Sequence, residues 1–246
     1  MNSQTKKQII SSILNCNIQS SPYNHAVIDN FLDENFANEL SKEFPDFNDD
    51  VWFNYKNKIE DKKLLSDWRK FPTNTYEILE LLSNIFNIRL YPDYGLHGGG
   101  WHIHSNGGKL NPHLDYSIHP HLKLQRKLNL IIYLCEDWKD EYGGHFGLWN
   151  KDASKLEKEI EVGFNKAILF DTTQNSWHGM SIEVNCSDNK YRKSLAIYYL
   201  CDTPKDIDKR SRALFAPTDS QKNDESVLEL IRKRSNYDTA KLIYVS

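Results

Sequence analysis

Cysteine is scarce in this sequence. The four present, Cys16, Cys135, Cys186 and Cys201, form no CxxC pair. Neither a zinc ribbon nor a disulfide framework is therefore signalled, and a reducing, cytoplasmic setting is expected. Long apolar runs are missing too, since no window approaches the roughly 18 apolar residues of a membrane span. Near the N-terminus, Ile9, Ile10, Ile13 and Leu14 follow Lys6 and Lys7 in a stretch too short and too interrupted by serine for a signal peptide. Neither sign of charge dominates: 31 Lys and Arg against 34 Asp and Glu leave a net charge of -3, which argues against a general nucleic-acid surface. There is no HExxH, so the local base of a helical zinc hydrolase site is absent. No repeat, low-complexity tract or linker divides the chain.

What is abundant is material for a core. Hydrophobic residues make up 39% of the chain, with six Trp and thirteen Tyr, enough for one sizeable globular domain. Helical spacing of Ile9, Ile10, Ile13 and Leu14 predicts a short amphipathic helix over 4–15. Ala26-Val27-Ile28 reads as a strand. Asp33 is placed to cap a helix carrying Phe36, Leu40 and Phe44, which Pro45 ends. Residues 46–70, with Trp52, Phe53, Tyr55 and Trp68, read as an extended segment with a helical turn. Thr75 opens another helix, with Ile78, Leu79, Leu82, Ile85 and Phe86 expected to be buried.

After Pro92 short apolar runs alternate with Gly, Asn and Asp clusters, the pattern of antiparallel strands. Strands are expected at 100–104, 110–114, 127–134, 145–149, 159–162, 167–170, 178–184 and 191–200. The fold expected is mainly β with flanking helices: a double-stranded β-helix, or jelly roll. One domain over 1–246 is expected, with 1–92 as helical support, 93–203 as the core, and 204–246 as a tail whose helix, Glu225 to Arg234, docks on the rest.

Period-2 alternation sorts the faces. Leu128, Leu130, Ile132 and Leu134 share an apolar face suited to lie under helices, and Asn129, Ile131 and Tyr133 share the other. Arg192, Ser194, Ala196 and Tyr198 likewise lie opposite Leu195, Ile197 and Tyr199. His113 and Asp115, two apart, point the same way on a strand. With His178 they offer two imidazoles and a carboxylate, the donor set of a facial Fe(II) site with open positions. A guanidinium at Arg192 would be costly on an inner face without a carboxylate from a ligand. A zinc hydrolase has no need of that arginine. A structural zinc site would normally be closed by a fourth protein ligand, and none is evident.

The motifs taken together resemble the Fe(II)/2-oxoglutarate-dependent oxygenases, specifically the prolyl-4-hydroxylase-like branch. The resemblance rests on His113-Leu114-Asp115, on Lys127 to Leu134, on Glu141-Tyr142-Gly143-Gly144, on Ser176-Trp177-His178-Gly179 and on Arg192 to Tyr199, in that order. Gly98 to His102 and Gly107 to Leu110 add to it, so that it spans about 98–203, with a weaker match at Val27 to Leu32. It implies that His113, Asp115 and His178 bind Fe(II), and that Arg192 and Tyr133 hold the distal carboxylate of 2-oxoglutarate. It also implies that Asn129 and Ser194 face the cosubstrate, and that Phe146 lines the pocket. His102 and Tyr198 are candidates for the substrate mouth. The reaction implied consumes O2 and 2-oxoglutarate, releases succinate and CO2, and hydroxylates an unactivated C–H. A peptidyl prolyl or other amino-acid side chain is the first expectation for substrate. A free small molecule or sugar, or a non-catalytic metal- or 2-oxoglutarate-binding jelly roll, is the alternative. No nucleic-acid or membrane partner is expected. Lys123, Arg126 and Lys127 read as a solvated basic patch. His119 and His121 read as loop residues, and His145 could sit on either sheet face.

Overall fold

A computed structural model describes residues 3–66, 75–172, 175–240 and 243. Trp68, among the aromatics noted above, lies outside them. Two curled antiparallel sheets face each other. The larger has nine strands, with His25–Ile28, Phe164–Asp171, Gln125–Leu134, Arg192–Cys201, Gly100–His104, Glu60–Leu65 and Phe53–Lys56 in lateral order. The smaller has five: Leu156–Ile160, Phe146–Trp149, His178–Met180, His113–Leu114 and Leu214–Phe215. This is the jelly roll that the strand pattern implied.

The helices cover the outer face of the larger sheet. Leu128, Leu130, Ile132, Leu134, Leu195, Ile197 and Tyr199 form a core with Ile9 and Ile13 of Ser3–Leu14, Ala37 and Leu40 of Glu34–Lys42, and Ile78 and Leu82 of Tyr76–Ile85. Each fully buried Leu or Ile there contributes about 1.5–3 kcal/mol. The Asp33 side chain accepts from the Phe36 amide at 3.3 Å and so fixes where the second helix begins. Of the residues expected to be buried in the third helix, Leu79 and Phe86 are half-buried, and Ile85, at its last position, is 36% exposed. Between the sheets a second core gathers Tyr133, Phe146, Leu148, Ile168 and Phe170. The opposite face of the same central strands is thereby committed to the interior of the roll.

Residues 46–66 differ from the extended segment with a helical turn read in the sequence over 46–70, whose last four residues lie outside the described ones. Phe53–Lys56 and Glu60–Leu65 form a hairpin that joins the larger sheet beside Gly100–His104. The tail packs against this hairpin. Ile59, Phe215 and Val227 form a small core, and Arg234 Nε donates to Glu60 Oε1 at 3.3 Å. The tail helix, Glu225–Ser235, docks as expected, with Asp224 capping the amides of Ser226 and Val227.

Candidate metal centre

His113 and His178 are register partners on adjacent antiparallel strands of the smaller sheet, so their side chains leave the sheet side by side, ring centroids 4.3 Å apart. Each ring is fixed by its own chain. Nδ1 of His113 lies 3.0 Å from the Asn111 carbonyl, and Nδ1 of His178 lies 2.8 Å from the Ser176 carbonyl. A carbonyl can only accept, so in both rings the proton belongs on Nδ1 and the lone pair on Nε2. Both lone pairs face Asp115, with Nε2 to carboxylate distances of 3.7 Å in each case. That is too long for a hydrogen bond, and it suits donors that share one ion through bonds of about 2.1 Å. The donor atoms of the three residues lie within 4.8 Å of one another, and no other such cluster occurs among the described residues.

Protonation agrees with this reading. Burial, then the neighbouring His178, takes the His113 imidazolium down to about 3. Burial lowers His178 as well. Burial by itself would raise Asp115, but the Arg126 guanidinium and then the two imidazoles hold it well below the usual carboxylate range. Two neutral imidazoles and an ionised carboxylate form the state that binds a divalent metal without first losing protons. The residues present therefore fit a divalent metal such as Fe(II).

Facing this cluster, on the larger sheet, is Arg192. It is 4% exposed. Its Nε donates to the Gly144 carbonyl at 2.6 Å and its Nη2 to the Tyr133 hydroxyl at 3.1 Å. No carboxylate pairs with it among the described residues. Gly144 permits the approach. It has φ +67, and a Cβ there would stand 2.7 Å from Arg192 Cδ. Tyr133 is fully buried, and burial raises its hydroxyl to about 12, so it is neutral and free to donate.

All ten residues singled out in the sequence, His113, Asp115, His178, Arg192, Tyr133, Ser194, Asn129, His102, Phe146 and Tyr198, line one cavity of about 500 Å³. Ser194 is the register partner of both Tyr133 and His102. Asn129 also donates its Nδ2 to Asp115 Oδ2 at 3.3 Å. Tyr198 donates to the Gly98 carbonyl at 3.1 Å. Phe146 and Phe170 pack against His178, with centroids at 5.8 and 4.6 Å. His119 and His145 lie elsewhere. His119 Nδ1 accepts from the amides of His121 and Leu122, and His145 sits between Asp140 and Glu159.

Arg126 is the main correction. It is not part of a solvated patch but 2% exposed, sandwiched between Tyr116 and Tyr198 with its guanidinium carbon 3.5 and 3.4 Å from the ring centroids. Its Nη1 lies 3.1 Å from Asp115 Oδ2 and its Nη2 donates to the His97 carbonyl at 2.7 Å. Lys127 is not free either, pairing with Asp171 at 2.6 Å. Sequence reading also missed Phe215, whose ring stacks on His113 at 5.1 Å, and the hairpin of 53–65, which walls the cavity with Tyr55, Glu60 and Lys62.

Comparison with known proteins agrees with the geometry. Residues 99–200 match the 2OG-Fe(II) oxygenase superfamily. No curated protein matches the chain. Among solved structures, a prolyl 4-hydroxylase from Phytophthora capsici is similar with a TM-score of 0.58 and 19% identity, over 96% of this chain and 77% of that one. A prolyl-4-hydroxylase from Pseudomonas putida is similar with a TM-score of 0.52 and 13% identity, over 81% of this chain and all of that one (100%). At such identities the likeness is one of fold.

Proposed function

We propose that the chain, whose residues 99–200 match the 2OG-Fe(II) oxygenase superfamily, is a 2-oxoglutarate-dependent dioxygenase that hydroxylates an unactivated C–H of an amino-acid side chain, peptidyl proline first. Its cofactors are Fe(II) and 2-oxoglutarate. In the proposed assignment His113, Asp115 and His178 hold the metal, and Arg192 with Tyr133 holds the distal carboxylate of 2-oxoglutarate. The observation that carries the reading is the pairing of two features in one cavity. One is a neutral-imidazole and carboxylate triad. The other, opposite it, is a buried guanidinium with no carboxylate partner among the described residues.

When bound, iron and 2-oxoglutarate supply the redox chemistry: the keto acid loses CO2 to become succinate, one atom of O2 enters succinate and the other the substrate C–H. The chain's own part is binding, orientation and exclusion of water. Arg192 stands ready for a bidentate carboxylate, and Tyr133 donates beside it. Arg126 and Asn129 occupy Asp115 Oδ2, which leaves Oδ1 as the less encumbered donor and restrains the carboxylate. Phe146, Phe170 and Phe215 close the apolar side of the two imidazoles and keep water from the metal side of the cavity. All 246 residues are read as one unit, a reading supported by the contact of the tail with the hairpin that walls the cavity.

The test is a library of proline-containing peptides with Fe(II) and 2-oxoglutarate under air. The expected result is a mass gain of one oxygen on a peptide, in step with succinate. Succinate coupled to a free small molecule, with no peptide modified, would transfer the activity to that substrate class. Complete absence of succinate, even uncoupled, would favour a non-catalytic binding role.

A further inference from the structure

The charge of the cavity wall is uneven. Lys62, Arg126, Arg192, Arg212 and Arg234 line it, against two carboxylates, Glu60 and Asp115. Asp115 faces Arg126 and Glu60 faces Arg234. Arg192 stands where the distal carboxylate of 2-oxoglutarate is proposed to lie. The charges of Fe(II) and of 2-oxoglutarate cancel, so cofactor and cosubstrate together leave the positive excess unchanged.

Lys62 carries part of that excess. It lies on Glu60–Leu65, which lines the cavity with Glu60, Lys62, Leu64 and Leu65. Leu64 pairs with His102 and Lys63 with Ile103, so the register carries Lys62 alongside His104, itself the partner of Arg192. Lys62 has no hydrogen bond or ion pair among the described residues, and its one contact of note is the Tyr55 ring, 5.4 Å from Nζ. Burial pulls its ammonium below the ordinary lysine value, with Glu60 opposing. A strand position that faced bulk water would leave the chain solvated. This one turns a compact cation with three donors into the cavity that holds the metal cluster.

Resting on the oxygenase reading above, we infer that the prime substrate carries a carboxylate or phosphate, and that Lys62 receives this anion while the carbon to be hydroxylated faces the His113–Asp115–His178 cluster. The anion could belong to a small molecule or to an acidic residue flanking the target of a peptide. Both present the same chemistry to an ammonium group.

The test uses the full chain with Fe(II) and 2-oxoglutarate under air. Uncoupled succinate release by the wild type is measured first. Its absence would sink the oxygenase reading and this inference with it. Matched pairs are then added: L-glutamate and L-glutamine, glucose 6-phosphate and glucose, and a prolyl peptide flanked by aspartates and its asparagine counterpart. The readout is the ratio of stimulation by the anionic member to that by the neutral one, so a general loss of activity moves both arms together. At least one pair is expected to favour the anionic member ten-fold or more. That ratio should fall toward one in Lys62→Gln and recover in Lys62→Arg, and the pair that responds tells a peptide from a small molecule. Three results would overturn the inference while uncoupled release is present: neutral members that stimulate as well as anionic ones, a ratio that persists in Lys62→Gln, or no anionic member that stimulates at all.

Discussion

Two buried guanidinium groups flank the His–Asp–His cluster, and their removal has different consequences. Arg192 is proposed to meet its carboxylate only when 2-oxoglutarate binds. Arg192→Ala should therefore raise the KM for 2-oxoglutarate roughly 10- to 150-fold, equivalent to the ~1.5–3 kcal/mol of a charged hydrogen-bonded contact. Steady-state succinate release checks this, and an unchanged KM would remove Arg192 from the site. Arg126 already has its partner. Arg126→Met strips a buried carboxylate of its cation and should cost about 3–5 kcal/mol in urea unfolding of the metal-free protein. A loss below about 1 kcal/mol would mean that the Asp115 charge is compensated by other groups. In the sequence, period-2 spacing paired His113 with Asp115, while His178 and Arg192 joined them through the ordered motifs that resemble the oxygenase family. Arg126 was not legible there, for a local reason. By parity it belongs with Leu128 and Leu130 on the apolar face. The pairing of Gln125–Leu134 with Arg192–Cys201 skips Lys127, so that Leu200 meets Arg126 directly after Tyr199 meets Leu128. This one-residue bulge turns Arg126 to the cavity.

At the scale of elements, the faces of the two central strands could be read off because residues 128–134 and 192–199 alternate without interruption. The hairpin of 53–65 was hidden by its own chemistry. Its second strand, Glu60-Asp61-Lys62-Lys63-Leu64-Leu65, carries four consecutive charges and shows no period-2 signal. It is a strand because Gly100–His104 offers it a partner edge and because Arg234 neutralises Glu60 from the tail, neither of which is a local property. The same holds for Leu214–Phe215, too short to show a period-2 pattern. It completes the smaller sheet by pairing with His113–Leu114. The Gly143-Gly144 turn gives an element-level test. Gly144→Ala places a methyl group at positive φ against Arg192, a strain of about 1–3 kcal/mol. The expected result is a raised KM for 2-oxoglutarate with metal affinity unchanged, measured separately by succinate release and by metal titration.

For the whole molecule, the helix-backed core and the site are distinct. The core of Leu128, Leu130, Ile132 and their helical partners contains none of the three proposed metal ligands. Chelation should therefore leave the far-UV circular dichroism intact. A divalent metal at 100 times its Kd should add about 2.7 kcal/mol of stability, seen as a raised Tm. Loss of secondary structure on chelation would mean that the metal holds the fold together. No helix among the described residues is long and apolar enough to cross a membrane. The central claim is that His113, Asp115 and His178 present one metal to a keto acid anchored by Arg192. Anaerobic titration of the Fe(II)-loaded chain with 2-oxoglutarate tests it most directly, by following the visible charge-transfer absorption of an iron–keto acid chelate. The account predicts a saturable band in the wild type that is lost in a folded His178→Ala variant. A folded wild-type protein that gives no band at any 2-oxoglutarate concentration, or a band that survives intact in His178→Ala, would contradict it.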